Sequence, residues 1–312
     1  MYNYTRLIEL RFPLIMHPSI NILRRNYSTV TSFRPVPRLP KDHSIPFFQE
    51  KYFTAEEPVL FPQGQFQDSI PAASKWFSSR QLSLTYLLPY RETIVPLELT
   101  QQSNSGEVEF NRVTAPLDVF LQLHNPDRTP IAASQLQMYL AQCPIAALPE
   151  PLQIDLPTPK VVLEAGRGDI YDSSIWLGMP PTYTPLHRDP NPNLFVQLSG
   201  EKRIRLFPPH VGKMMYQCVV SAIDGRMGSE RMRGEEMMAG EERKLLQEVV
   251  WDDCKEKNMT DMKKLREHGL HAELGPGDGL FVPKGWWHSV KGIGSAMNGS
   301  VSTMDLPLEN YD

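Results

Sequence analysis

A chain of 312 residues is long enough to bury one large core and short for two independent domains, so a single catalytic domain is expected. Its 32 basic and 36 acidic residues leave a net charge of -4, which argues against a surface built chiefly to neutralise nucleic-acid phosphates, although a local basic groove is compatible with it. Cys143, Cys218 and Cys254 lie far apart without a CxxC pair, so they frame neither a disulfide scaffold nor a thiolate zinc site, and no apolar run approaches the length of a membrane span.

In chain order, the first 35 residues stand apart. Arg6, Arg11, Arg24, Arg25 and Arg34 face the single acid Glu9, with Ser, Thr and apolar residues between them. That is the make-up of an organellar transit peptide. Arg24-Arg25-Asn26-Tyr27-Ser28 resembles a mitochondrial processing site, with cleavage expected after Tyr27. The alternative is a disordered extension, since Pro13 and Pro18 interrupt any long helix. Pro35, Pro37, Pro40 and Pro46 then suggest an extended linker. The segment 1–46 is therefore set apart from a catalytic domain at 47–312.

Within that domain the pattern predicts a short helix near Ala72–Phe77, strands at Leu82–Leu88 and Thr93–Leu99, a helix over 116–124 and a strand at Gln135–Ala141. Residues 171–207 are strand-rich and broken by Pro180, Pro181, Pro190 and Pro192. From 212 to 270 the sequence reads as a helical or disordered insertion, with helix-prone stretches at Glu241–Glu248 and Thr260–His268. Strand signals resume at Glu273, continue at Leu280–Pro283 and end at Ser300–Met304. The 29 Pro and 19 Gly suit many short strands joined by tight turns.

His187-Arg188-Asp189 is the first triplet that suggests chemistry. Residues at i and i+2 on an extended segment point to one side, so an imidazole and a carboxylate can take adjacent positions on one metal. His288, after Lys284-Gly285-Trp286-Trp287, is the candidate third ligand. Two His and one carboxylate on one face of an octahedron leave three positions open, as in non-haem Fe(II) oxygenases. Taken alone, the triplet is a weak signal, far more often a surface turn or a hydrogen-bonded core His than a metal site.

Asn193 to Phe207 alternates on both sides of Ser199-Gly200, which reads as a two-residue hairpin pairing Leu198 with Glu201 and Gln197 with Lys202. Asn193, Phe195, Gln197, Lys202, Ile204 and Leu206 would then share a face. A lysine pointing inward is costly unless it meets an anion; the other reading puts Lys202 at a hairpin end, reaching solvent.

Thr184-Pro185-Leu186-His187-Arg188-Asp189, Asn193 to Arg203 and Leu206-Phe207-Pro208-Pro209 together resemble the JmjC family of 2-oxoglutarate oxygenases in the cupin superfamily. The branch they resemble most is the one that includes the asparaginyl hydroxylase of hypoxia signalling. Gly275 to Pro283 followed by Trp286-Trp287-His288, Met138 to Gln142, and Pro71-Ala72 to Lys75-Trp76 extend the likeness over about residues 47 to 306. The resemblance implies a mainly β fold with flanking helices, a double-stranded β-helix of the jelly-roll type. It implies Fe(II) held by His187, Asp189 and His288, with 2-oxoglutarate and O2 as cosubstrates. Lys202 would pair with the far carboxylate of 2-oxoglutarate, helped by Thr184 and Tyr139, with Asn193 beside it. The last strand departs from relatives that carry Asn and aromatics, which leaves the contact near Ser302 open. The chain stops at Asp312 without the C-terminal helices by which some relatives dimerise, so a monomer is expected.

The implied activity is hydroxylation, most naturally of a protein side chain, coupled to conversion of 2-oxoglutarate to succinate and carbon dioxide. Trp286 and Trp287 either wall the cavity or serve as core packing. The rivals are a lysine demethylase, an RNA-modifying hydroxylase, a small-molecule hydroxylase and, in another class, a non-catalytic metal-binding cupin scaffold.

Overall fold

The computed structural model describes residues 33–102, 108–125, 136–166, 168–224, 240–251 and 260–305. The transit-like segment with its Tyr27 junction lies outside the described residues, as do parts of the insertion at 225–239 and 252–259. The first strands in chain order are β1 (Arg34–Pro35), β2 (Val59–Leu60), β3 (Phe77–Ser78), β4 (Gln81–Leu82), β5 (Ile94–Gln102), β6 (Val108–Pro116) and β7 (Leu136–Pro144). They are followed by β8 (Ile170–Gly178), β9 (Thr182–Arg188), β10 (Asn193–Ser199), β11 (Glu201–Phe207), β12 (Leu270–Leu274), β13 (Gly279–Val282), β14 (Trp287–Ile293) and β15 (Asn298–Asp305).

These strands make a large sheet, β2-β13-β10-β15-β8-β7-β5-β6, and a small sheet, β1-β12-β11-β14-β9; β3 and β4 pair separately. From β8 onward the chain winds between them. The antiparallel group β13-β10-β15-β8 belongs to the large sheet and β12-β11-β14-β9 to the small one. This is the double-stranded β-helix that the resemblance implied.

The strand alternation explains the layering. In β10, Leu194, Val196 and Leu198 join an apolar cluster with Phe48, Phe61, Trp76 and Val162 on the outer side of the large sheet. Their neighbours Asn193 and Phe195 face a cavity shared with Lys202 and Ile204 of β11. Burial on both faces makes β10 nearly inaccessible along its length, although its sequence alternates.

The expected hairpin at Ser199-Gly200 does not form. β10 pairs with β13 and β15, whereas β11 pairs with β12 and β14, so neither Leu198–Glu201 nor Gln197–Lys202 is a cross-strand pair. Gly200 carries the chain from one sheet to the other with φ 69°, and a Cβ there would lie 2.8 Å from the Met297 carbonyl oxygen. An isolated hairpin is marginal, and two long-range partners for each strand outweigh one local partner. The facing rule survives because the inner sides of both sheets turn toward the same interior.

The strand expected at Leu82–Leu88 is another correction. Only Gln81–Leu82 is extended, and Leu84–Leu87 is a helical turn that buries Leu87. Thr85 and Tyr86 gave strand propensity, but Leu84 and Leu87 at helical spacing satisfy the core better. β12 starts at Leu270, three residues before the signal at Glu273. The Pro-rich stretch is extended but packed, with β1 parallel to β12 and Val36 and Leu39 buried.

Helices Pro209–Asp224, Gly240–Trp251 and Thr260–Arg266 cover the outer side of the small sheet. Val211, Met215 and Val219 recur every four residues, and Leu246, Val249 and Val250 form a second stripe; both pack with Leu186, Phe207 and Trp287. Each such side chain contributes about 1.5–3 kcal/mol on burial. Among the described residues, no helix is long and apolar enough to cross a membrane.

Candidate metal centre

β9 and β14 run antiparallel with His187 opposite His288. Asp189 follows the end of β9, and between the two ligand candidates Arg188 turns outward toward the Trp287 ring, 5.8 Å away. The i, i+2 geometry therefore brings His187 and Asp189 to one side. The three side chains offer ligand atoms that all lie within 4.8 Å of one another. His187 Nε2 is 3.9 Å from Asp189 Oδ1, His288 Nε2 is 3.7 Å from Asp189 Oδ2, and the imidazole centroids are 4.2 Å apart.

Backbone carbonyls set the rings. His187 Nδ1 lies 2.8 Å from Pro185 O and His288 Nδ1 lies 3.3 Å from Trp286 O. A carbonyl only accepts, so in the neutral rings each Nδ1 donates and each Nε2 turns its lone pair to the shared space. Burial, with His187 adding to it, pushes the His288 pKa down to about 4, against the opposing pull of Asp189. A neutral imidazole is the ligating form. The donor set fits a ferrous ion, and the open side of the triad faces a cavity rather than protein.

Lys202 occupies the other end of that cavity and is 3% exposed. Its ammonium donates to Ser300 Oγ at 2.7 Å and Tyr139 Oη at 3.3 Å, and sits 5.0 Å from the Phe195 ring centroid. No carboxylate among the described residues pairs with it. Burial draws its pKa down from 10.5 to about 7. A buried ammonium with only neutral acceptors is a costly arrangement that an anion would relieve. Tyr139 fits tightly because β8 presents Gly178 beneath it, where a Cβ would lie 2.4 Å from the ring. Burial raises the phenol's pKa above the ordinary value of 10.0, so it stays a neutral donor or acceptor.

All seven side chains singled out in the sequence, Tyr139, Thr184, His187, Asp189, Asn193, Lys202 and His288, line this one cavity. Ser302 lines it too, bonded to Asn193. The sequence reading missed Ser300 as a partner of Lys202, and the Asn193 amide as a donor to Asp189. Period-two spacing of Ser300 and Ser302 on the last strand was the available signal. Trp286 and Trp287 do not wall the cavity: Trp286 donates to Glu56 O at 2.9 Å, and Trp287 stacks on Tyr216 with centroids 5.3 Å apart.

A double-stranded β-helix with a His-Asp-His triad opening into a lysine-ended cavity defines a cupin with a candidate metal site. The chain matches the Cupin-like domain family over residues 45–303 and belongs to it, within the JmjC cupin superfamily. It is 28% identical over 265 residues to Jumonji C domain-containing protein 5 of Drosophila melanogaster, covering 84% of this chain and 58% of that protein. It is 25% identical over 251 residues to Lysine-specific demethylase JMJ30 of Arabidopsis thaliana, covering 80% of this chain and 50% of that one. A match to human HSPB1-associated protein 1 is 30% identical over 123 residues, or 39% of this chain and 21% of the relative. The chain thus spans about half the length of the first two relatives.

Proposed function

We propose that the chain is an Fe(II)- and 2-oxoglutarate-dependent dioxygenase that hydroxylates a protein side chain. The observation that carries this reading is a single cavity with three convergent metal ligands at one end and a buried, carboxylate-free lysine at the other. Ferrous iron bound there supplies oxidative chemistry, with O2 and 2-oxoglutarate consumed and succinate and carbon dioxide released. His187, Asp189 and His288 hold the ion. Lys202, with the hydroxyls of Tyr139 and Thr184, binds the distal carboxylate and fixes the direction in which the keto acid enters. Phe195, Ile204, Val282 and Val290 line the cavity between the two ends and exclude water from it.

Succinate release on incubation with Fe(II), O2 and 2-oxoglutarate tests the class. Turnover that requires iron supports an oxygenase; zinc binding without turnover would support a scaffold. The second reading, a lysine demethylase, is favoured by the name that the Arabidopsis relative carries. Mass spectrometry of proteins trapped by the Asp189→Ala variant separates them, since a methyl-lysine peptide would point to demethylation and bound RNA to nucleic-acid modification. The basic first segment supports mitochondrial targeting, which N-terminal sequencing of the mature chain tests.

A further inference from the structure

We infer that Ser302 is a positioning residue of the metal centre, acting through Asn193 on the Asp189 carboxylate; the inference rests on the Fe(II) reading above. Asn193 Nδ2 donates to Asp189 Oδ2 at 2.9 Å, and Ser302 Oγ donates to Asn193 Oδ1 at 2.5 Å. All three residues are buried, Asp189 at 6% exposure, Asn193 at 5% and Ser302 at 2%. The pairing of β10 with β15 explains the contact. Phe195 lies opposite Ser302 and Asn193 opposite Met304, so Asn193 and Ser302 are diagonal neighbours facing the cavity.

The acceptor at the end of this relay sets its direction. A ligating carboxylate only accepts, so the Asn193 amide turns its NH2 to Asp189 and its carbonyl to Ser302, and the hydroxyl must donate. A flipped amide would set its carbonyl against the carboxylate. Without the hydroxyl, the buried Asn193 carbonyl loses its partner and the amide loses what holds its plane. The relay also distinguishes the two carboxylate oxygens. Oδ2 is occupied by Asn193, whereas Oδ1, 3.9 Å from His187 Nε2, accepts no hydrogen bond among the described residues. Asn193 thus holds the carboxylate by Oδ2 and leaves Oδ1 without a protein donor among the described residues, with Ser302 two hydrogen bonds back along the relay.

Calorimetric titration of the full chain with Mn(II), without cosubstrate, tests this. Ser302→Ala is expected to weaken Mn(II) binding about tenfold, the lower end of the effect of such supporting partners. Ser302→Thr, which keeps the hydroxyl, is expected to restore it. Asn193→Ala should weaken binding at least as much, and adding Ser302→Ala to it should cost nothing further. Melting curves confirm that each variant folds, and the Mn(II) EPR spectrum reports the altered carboxylate. Parent-like Mn(II) affinity in Ser302→Ala would overturn the inference. So would a raised 2-oxoglutarate requirement with intact metal affinity, which would make Ser302 a cosubstrate contact. A parent chain that binds no Mn(II) would overturn the metal reading itself, which is a distinguishable failure.

Discussion

Asp155 and Asp189 are both buried carboxylates, and the protein surrounds them in opposite ways. Asp155 is 0% exposed, with Oδ1 taking Lys75 Nζ at 2.6 Å and Oδ2 taking Trp76 Nε1 at 2.9 Å and Tyr86 Oη at 2.5 Å. Burial alone would raise its pKa, but the bonds from Lys75, Tyr86 and Trp76 hold it below the ordinary value. Asp189 has one amide donor and two imidazoles at 3.7 and 3.9 Å. The lysines repeat the contrast, Lys75 paired with a carboxylate and Lys202 with neutral oxygens. A polar group whose acceptors the chain fills holds the fold together; one left open is available to a ligand.

The comparison breaks first at the two aspartates. Asp189→Ala and His187→Ala are each expected to abolish iron-dependent succinate release while leaving the urea midpoint unchanged or higher. Asp155→Ala should do the reverse. It leaves the Trp76 and Tyr86 donors without an acceptor and should cost about 3 kcal/mol of stability, with metal affinity in the surviving folded protein unaltered. A variant of Asp155 that loses metal binding before stability would dissolve the distinction.

Lys202→Met sharpens it. The variant should raise the 2-oxoglutarate requirement at least about tenfold, the scale of a lost charged hydrogen bond, yet melt at a higher temperature than the parent. The pH dependence has a definite sign. With a folded-state pKa near 7 against 10.5 when unfolded, the unfolded chain binds more protons between these values. Lys202 therefore makes stability rise with pH across that interval and fall as pH drops toward 7. Lys202→Met should remove that part of the slope in denaturation curves, and saturating 2-oxoglutarate should flatten it in the parent. An unchanged slope in the variant would mean that Lys202 is solvated.

The smallest expected effect lies at the link between insertion and site. Trp251 Nε1 donates to Ser289 Oγ at 2.8 Å, and Ser289 Oγ donates to Thr184 O at 2.7 Å. Trp251→Phe keeps the ring beside Arg205 and removes one hydrogen bond, at a cost of about 1 kcal/mol. Cosubstrate affinity should change little.

The ligand triad was legible because period two on a strand is a local rule, and His187 and Asp189 obey it. His288 was picked from the turn and aromatic residues before it and supported by the resemblance, but that it lies opposite His187 is long-range register that no local rule gives. Lys202 was placed inside by alternation, although the hairpin invoked for it was wrong. β10 turns its odd-numbered residues inward and β11 its even-numbered ones, the same sets that the alternation gave, so the facing survived a false pairing. The Asp155 hub was invisible, since Lys75, Trp76 and Tyr86 meet it only after about 70–80 residues of intervening chain close up. The relay from Ser302 to Asp189 was hidden for the same reason, spanning 109 residues between Asn193 and Ser302.

The central claim is that one ferrous ion and one keto acid share this cavity. Anaerobic titration of the purified chain with Fe(II) and 2-oxoglutarate, followed by the visible charge-transfer absorption of an iron-keto acid chelate, tests it most directly. The account predicts a band that saturates at one Fe(II) per chain, vanishes in Asp189→Ala and needs more 2-oxoglutarate in Lys202→Met. A parent chain that shows no band, or an Asp189→Ala variant that keeps it, would contradict the account.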